Sequence, residues 1–592
     1  MTALTAPSGS GRRQSLELLI AWLLACAFMI FVSAHAIANG AFPDPDDIMR
    51  LLEVRDWLGG QSWFDVTQYR VNGPAGVPMH WSRLVDVPVA AVILASRPFV
   101  GAARAETVAL VFVPLLTLGI SMLLVHRIAL KLMTSRAALV AVAATPFSLG
   151  AMKQLRPMRI DHHGWQIVMA LLAILACFDE RPRRSGVVAG IAMALWLNIS
   201  LEGLPFAFAV GLVFAFDWLR IGSAYQRLES FVAALAIASV LIFAATHLPS
   251  TWMSQQHDVV NAAYLAGFAA ASLCIPIFAR LAFRQWSSRL VALGVVGVVT
   301  LGAMFLVDTH WMAGPFSNLD PLVRDFWYYG VDEGLPMWRI HWSEGAMGLS
   351  QPIMGVLGAC LALRDAKAPL RNRWAIYLFL LLATAVSSIS VIRVATTASV
   401  IAMPGTAFLC QRAFRRARAL RKELVRAFAT AAALLLMTPA YAVPIAISNP
   451  NPKLDTAVVA GMECQKSTQV SALQALPTGE FAAPLDITPM ILLHSAHHAV
   501  ATGHHRNLKG MRDDIRLFLE PPAAGEAIVK DRRLDYVMFC PGAPESIRFA
   551  RFGPQGLAAL LIANRPPKWL ERTRVPGLTT LQVWRIRREL LS

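Results

Sequence analysis

Almost uncharged runs of about twenty residues, separated by short charged stretches, recur from residue 16 to residue 444. That length is what a helix needs to cross ~30 Å of hydrocarbon. The runs predict about thirteen helices, near 16–38, 105–126, 137–152, 164–178, 185–199, 202–218, 229–247, 259–279, 290–307, 347–363, 374–391, 394–411 and 425–444. A further segment, "DVPVAAVILASRPFVGA" at 86–102, is apolar but short and reads as lying at the membrane interface. The small residues of "SAHAIA" would also suit a cleaved leader. The first run is long for that role and an acidic motif follows it closely, so it is read as an anchor.

Charge orders these helices. The loops assigned inside, from "HRIALKLMTSR" to "QRAFRRARALRKELVR", hold with the N-terminal tail about 24 Lys and Arg, against about 10 outside. The asymmetry predicts a cytoplasmic N-terminus and an outer C-terminus. Composition agrees: of 592 residues, 56% are hydrophobic and 15% charged, with mean hydropathy +0.51, whereas soluble domains carry about a quarter charged residues. The formal charge of +17 would otherwise suggest nucleic acid. Its place in alternate loops assigns it to membrane topology instead.

After residue 445 the pattern changes. Strand-like pieces ("DITPMILLH", "LDYVMFC", "TTLQVWRIR") and a helical piece ("PQGLAALLIANRP") alternate with turn signals such as "NPNP" and "CPGAPE". The expected architecture is mainly α: a polytopic membrane domain, 1–445, with outer loops 39–104 and 308–346, then a small mixed α/β extracytoplasmic domain, 446–592. Cys26, Cys177, Cys274, Cys360 and Cys410 fall in spans as packing residues. Cys464 and Cys540 fall in the outer domain, where an oxidising space favours a disulfide between them.

The chemistry concentrates at the outer ends of the spans. "FPDPDDIMRLLEVRDW" places Asp44, Asp46, Asp47 and Glu53 directly after the first apolar run. Three carboxylates within four residues repel one another unless a cation or basic group is near. Glu53, Asp56 and Asp65 are expected in a solvated loop. "RPMRIDHHGW" sets Asp161, His162 and His163 at the start of a span, where Asp161 could also be a helix cap. The loop 308–346 holds Asp332 and Glu333, and "SVIRVATT" leaves Arg393 at a membrane boundary, where a charge needs a partner such as a lipid phosphate. Oxygen ligands with an imidazole suit Mn²⁺ or Mg²⁺ better than Zn²⁺.

In motif order and topology the chain resembles GT-C glycosyltransferases, and most of all the catalytic subunit of oligosaccharyltransferase. "DPDDIMR" has that family's Asp-Pro-x-x-x-x-Arg form, pointing to Asp44, while "RDWLGG" spaced as in bacterial members points to Asp46. Asp161-His162-His163 matches the Asp-x-His motif of archaeal members, Glu333 sits in the loop that supplies the family's glutamate, and Arg393 matches its lipid-phosphate arginine. The resemblance implies a site with Asp44 or Asp46 and Glu333 as catalytic carboxylates, and a divalent cation on Asp44 or Asp46, Asp161 and His163. It also implies a polyprenyl-linked sugar donor in the bilayer. One departure stands out: the family's Trp-Trp-Asp-Tyr-Gly acceptor motif is missing, and the tail offers "LLHSAHHAVATGHHRN" in its place. Asp47, His80, Arg83, His162, His504, His505 and Arg506 are the candidate substrate contacts, and the acceptor is an unidentified glycan, lipid or protein. The implied setting is a bacterial inner membrane with the C-terminal domain in the periplasm. A transporter or flippase, or a non-catalytic envelope-polysaccharide assembly component, is the alternative.

Overall fold

The computed structural model describes residues 9–254, 256–281, 285–314, 316–317, 319–444, 464 and 467–591. Each apolar run falls on helix. By length and composition, eight of the described helices can cross a membrane, and Val394–Ile401 with Met403–Arg418, bent by 49°, makes a ninth. The bend falls where Pro404 opens the second helix, since proline lacks the amide that would continue the first. The remaining runs form shorter helices. The run 137–152 is broken into Ser135–Ala144, a turn at Thr145–Phe147 and Leu149–Gln154, the last capped by the Ser148 side chain. His163–Cys177 is also short.

The bundle packs through small residues where helices touch. A Cβ added at Gly358 would lie 1.9 Å from the Gly405 carbonyl oxygen, so Trp342–Asp365 and Met403–Arg418 meet backbone to backbone. Likewise, a Cβ on Gly150 would strike the Thr396 carbonyl oxygen. The first helix, Gly9–Asn39, lies against Ala102–Leu132, where Trp22 donates its indole N–H to Leu115 O at 2.9 Å.

Two further helices lie beside the first long loop. Pro45–Leu58 begins with the Asp44 carboxylate accepting from the Asp46 amide, has Pro45 at its opening position, and carries Asp46 and Asp47 in its first turn. A cap, a starting proline and acidic residues at the positive end of the helix dipole all favour a helix here. The interface segment forms a second helix, Asp86–Val100.

The C-terminal domain is built on a five-stranded sheet. In chain order the strands are β3 (Glu480–Ala482), β4 (His498–Ala499), β5 (Tyr536–Phe539), β6 (Leu570–Thr573) and β7 (Gln582–Ile586), following a small β1–β2 pair (Thr67–Gln68, Val77–Pro78) in the first loop. The spatial order is β4-β3-β5-β7-β6, with β3 parallel to β4 and β5, and β7 antiparallel to β5 and β6. "LDYVMFC" and "TTLQVWRIR" supply β5 and β7. "DITPMILLH" does not form a strand: Thr488–His494 is a helix opened by Pro489. Its apolar run is buried on all sides, and such a short run carries no period to separate helix from strand.

This domain is stitched to the first loop. Val71 pairs with Ala499 beside β4, and Arg70 donates to the carbonyls of Leu492 and Ser495. One apolar cluster runs through both parts, from Ile48, Leu51 and Leu52 to Ile491, Leu492 and Tyr536. Cys464 and Cys540 are joined by a disulfide, with Cα atoms 6.3 Å apart. Thiol-specific alkylation of denatured, unreduced protein is expected to leave both unlabelled. Removing the bond should cost the outer domain ~2–5 kcal/mol, read as an earlier unfolding step in detergent.

Candidate functional site

Asp47 brings the two acidic motifs together. Fully buried, it accepts hydrogen bonds from the amides of Ile160 and Asp161 at 2.8 and 2.9 Å, and pairs with Arg159 at 3.0 Å. The same Arg159 nitrogen reaches Asp44 at 2.9 Å. The first turn of Pro45–Leu58 is therefore clamped onto the stretch that precedes His163–Cys177. A polar clamp thus joins the two motifs.

Asp161 holds two imidazoles. His162 Nδ1 lies 2.5 Å from Oδ1, and His163 Nε2 lies 3.3 Å from Oδ2. The ligand atoms of all three lie within 4.8 Å of one another. Helix His163–Cys177 starts without a side-chain cap, so the Asp161 carboxylate is not used as one. Asp161 Oδ2 and His163 Nε2 are buried without hydrogen-bond partners. On its other side His163 is fixed by Gln166, with Nδ1 and Oε1 3.1 Å apart. Burial tends to raise the Asp161 carboxyl, but the two histidines and Arg159 draw it well below the usual range. A carboxylate oxygen and an imidazole nitrogen, desolvated and turned to one point, suit a divalent cation.

Asp46 faces the same space. Its side chain is 32% exposed, and Oδ1 stands 3.6 Å from His504 Nε2. Its carboxyl is pushed well above the usual range, first by the loss of solvent in the cleft and then by Asp44, Asp161 and Glu333. Crowded carboxylates of this kind are relieved by a cation. His504 is 3% exposed and has no hydrogen-bond partner at Nε2. Burial and neighbouring His505 push its imidazole down to about 3, so it enters the cleft neutral.

Glu333 and Arg393 form the far wall. The amides of Arg393, Ile392 and Met337 donate to Glu333 O, Leu335 O and Ile389 O, pinning the outer loop to the turn before Val394–Ile401. Gly334 leaves room for the guanidinium, because a Cβ there would sit 2.9 Å from Arg393 Nη2. Arg393 pairs with Glu202 at 3.2 Å and Glu333 at 3.5 Å.

Other charges build the frame. Arg50 bonds Asp86 at 3.0 Å and approaches Glu53 and Asp161 at 3.6 Å. Glu53 is thus buried in an ion-pair cluster and does not belong to a solvated loop. Arg83, 1% exposed, spends its guanidinium on Asp86 and the carbonyls of Glu53 and Asp65. It braces the loop and is not open to a substrate. His80, His505 and Arg506 gather on Asp258, which His505 meets at 2.9 Å and Arg506 grips through two nitrogens. These three therefore lie at the junction between domain and outer loops.

Arg159, Gln166, Glu202 and Asp258 were not singled out from the sequence. Arg159 stood two residues before Asp161. Glu202 stood out only as a lone carboxylate between two apolar runs, in "NISLEG".

A helical membrane trunk, a C-terminal α/β domain and carboxylates meeting where the two join make up a fold like that of oligosaccharyltransferases. No protein-family model matches the sequence, and no curated protein matches it. Solved structures do. The archaeal oligosaccharyltransferase AglB of Archaeoglobus fulgidus, in complex with an inhibitory peptide and a dolichol-phosphate, superposes with TM-score 0.63 at 14% identity, covering 97% of this chain and 75% of that one. The A. fulgidus enzyme tethered to an acceptor peptide containing the NVT sequon gives 0.61 at 13%, covering 97% and 74%. Its complex with Zn and sulfate gives 0.58 at 14%, covering 97% and 74%.

Proposed function

We propose that this protein is a membrane glycosyltransferase that moves a sugar or oligosaccharide from a polyprenyl-phosphate donor to an acceptor on the extracytoplasmic face. The observation that carries the reading is the desolvated, unpartnered pair Asp161 Oδ2 and His163 Nε2, facing the crowded carboxylates of the first loop. A likeness to a protein solved with a dolichol-phosphate, and with Zn and sulfate, supports it.

Asp46 or Asp44, with Asp161 and His163, would hold Mn²⁺ or Mg²⁺, which supplies Lewis-acid stabilisation to a phosphate leaving group. Arg393 contributes a charge-assisted contact to the same phosphate. Glu333 orients Arg393. One first-loop carboxylate accepts the proton of the acceptor hydroxyl. A cavity of about 1390 Å³, lined by Phe208, Phe216, Phe268, Leu301 and Trp311 among others, opens between the helices and offers the polyprenyl chain an apolar bed. His504, 3.6 Å from Asp46, would let the C-terminal domain contact the acceptor. Without the Trp-Trp-Asp-Tyr-Gly motif, an acceptor other than a sequon asparagine is favoured.

The test is turnover of a purified lipid-phosphate sugar donor, followed as release of lipid phosphate, beside mass spectrometry of envelope glycans with and without the gene. A transporter or assembly component would tolerate alanine at Asp46, Asp161 and His163. The orientation is checked separately: a phosphatase fused after Ser592 is expected to be active, and activity only from a cytoplasmic reporter would reverse the topology.

A further inference from the structure

His504 belongs to the C-terminal domain, yet its ring ends beside the carboxylates of the first loop. The residue is 3% exposed, and Nε2 is buried without a hydrogen-bond partner. That nitrogen lies 3.6 Å from Asp46 Oδ1. The separation is too long for a hydrogen bond. It does suit two neighbouring ligands of one cation. With bonds of ~2.0–2.2 Å, at angles between a right angle and the tetrahedral one, adjacent donor atoms stand about 3–3.6 Å apart. Asp161 Oδ2 and His163 Nε2, at 3.3 Å, show the same spacing.

The ring is held as a metal-binding imidazole is held. Its other nitrogen, Nδ1, is 2.8 Å from the Thr502 hydroxyl oxygen. A ligating histidine commonly spends one nitrogen on such a partner, which fixes the ring and leaves the lone pair of the other nitrogen free. The turn that carries His504 is tied down on both sides. The His504 amide donates to Thr502 O at 2.7 Å, and the Asn507 amide donates to His504 O at 3.1 Å. The Asn507 side chain accepts from the Gly510 amide and donates to Val500 O. Trp81 meets the imidazole edge to face, with ring centres 4.8 Å apart, and Arg50 lies over Trp81 in turn. Packing alone would leave Nε2 desolvated with no partner, a cost that a cation removes.

We propose that His504 is a further ligand of the divalent cation, carried to Asp46 by the C-terminal domain, and that this second imidazole tilts the site from Mg²⁺ toward Mn²⁺. The proposal rests on the metal-assisted reading above, with Asp46 among the ligands. A cation on Asp46 Oδ1 meets His504 Nε2 because the two atoms are neighbours. Imidazole nitrogen favours transition-metal ions, whereas Mg²⁺ prefers carboxylate and water oxygens. Asp161 and His163 belong to the membrane domain and His504 to the tail, so the bound ion also ties one domain to the other.

The test loads the full-length protein in detergent with substoichiometric Mn²⁺ and reads it by pulsed electron paramagnetic resonance, which detects the nitrogen nuclei of coordinated imidazoles. The wild type is expected to show two, and His504→Leu and His163→Ala one each. His504→Leu keeps a similar volume and offers no donor atom. In calorimetry it should bind Mn²⁺ about tenfold more weakly or worse, with a much smaller loss for Mg²⁺, so the preference for Mn²⁺ narrows. Thr502→Val keeps the ring and removes the partner of Nδ1. It should weaken Mn²⁺ binding by roughly tenfold and keep the second nitrogen signal. The nitrogen count of the wild type needs no variant, so the test stands even if His504→Leu fails to fold. One imidazole nitrogen in the wild type, or an Mn²⁺ affinity unmoved in folded His504→Leu or Thr502→Val protein, would overturn the role of His504 while leaving a cation on Asp161 and His163. No Mn²⁺ binding by the wild type would overturn the metal-assisted reading itself, and this inference with it.

Discussion

Asp161→Ala is expected to lower donor turnover by roughly 10²–10³-fold, the usual cost of removing one preorganised stabiliser of developing charge. His163→Ala should act alike, because Asp161 Oδ2 and His163 Nε2 face each other at 3.3 Å, both buried without a hydrogen bond. Chelation should mimic both variants, and Mn²⁺ or Mg²⁺ should restore the wild type but not the variants. His162→Ala should do less, since its Nδ1 is committed to Asp161 Oδ1. Calorimetric titration with Mn²⁺ separates a ligand from a merely structural residue: both strong variants should lose binding heat in protein that still unfolds cooperatively. Full turnover by Asp161→Ala, or under chelation, would remove the cation from the reaction.

Asp47→Ala should be as damaging by a different route. It takes away the buried one of Arg159's two carboxylate partners and, at once, the oxygen that accepts from two amides. Breaking a buried ion pair from one side costs ~3–5 kcal/mol. Thermal unfolding in detergent should therefore fall well below wild type, and activity should fall with it. Asp44→Ala is the contrast. Asp44 is 24% exposed and caps a helix, a role worth ~1 kcal/mol, so its stability loss should be small. Equal melting of Asp47→Ala and wild type would mean that the two motifs are held together by something other than this clamp.

These variants also mark what could be read in advance. The trunk was legible because membrane-crossing length and loop charge are written locally. The candidate carboxylates and Asp161-His162-His163 were legible because their spacing has a known form. Asp47 was named as a substrate contact, and nothing in the spacing separated its structural task from the tasks of Asp44 and Asp46. Glu202, Gln166 and Asp258 act through partners from distant runs, which periodicity cannot pair. Glu53 looked solvated because charged residues usually are, and Arg83 looked open to a substrate. Their burial depends on mutual neutralisation with Arg50 and Asp86, a three-dimensional fact. "DITPMILLH" misled for want of length.

The outer domain's grip on the first loop has a consequence in time. Arg55 donates to Leu493 O across 438 residues of chain, and His504 faces Asp46 from later still. At synthesis rates of ~5–20 residues per second, roughly 20–90 s separate the emergence of these partners. During that interval the nascent protein carries its acidic mouth in the membrane with one wall unbuilt. The His504 side of the cleft is assembled last, so a chain that stalls before the domain emerges has no complete cleft.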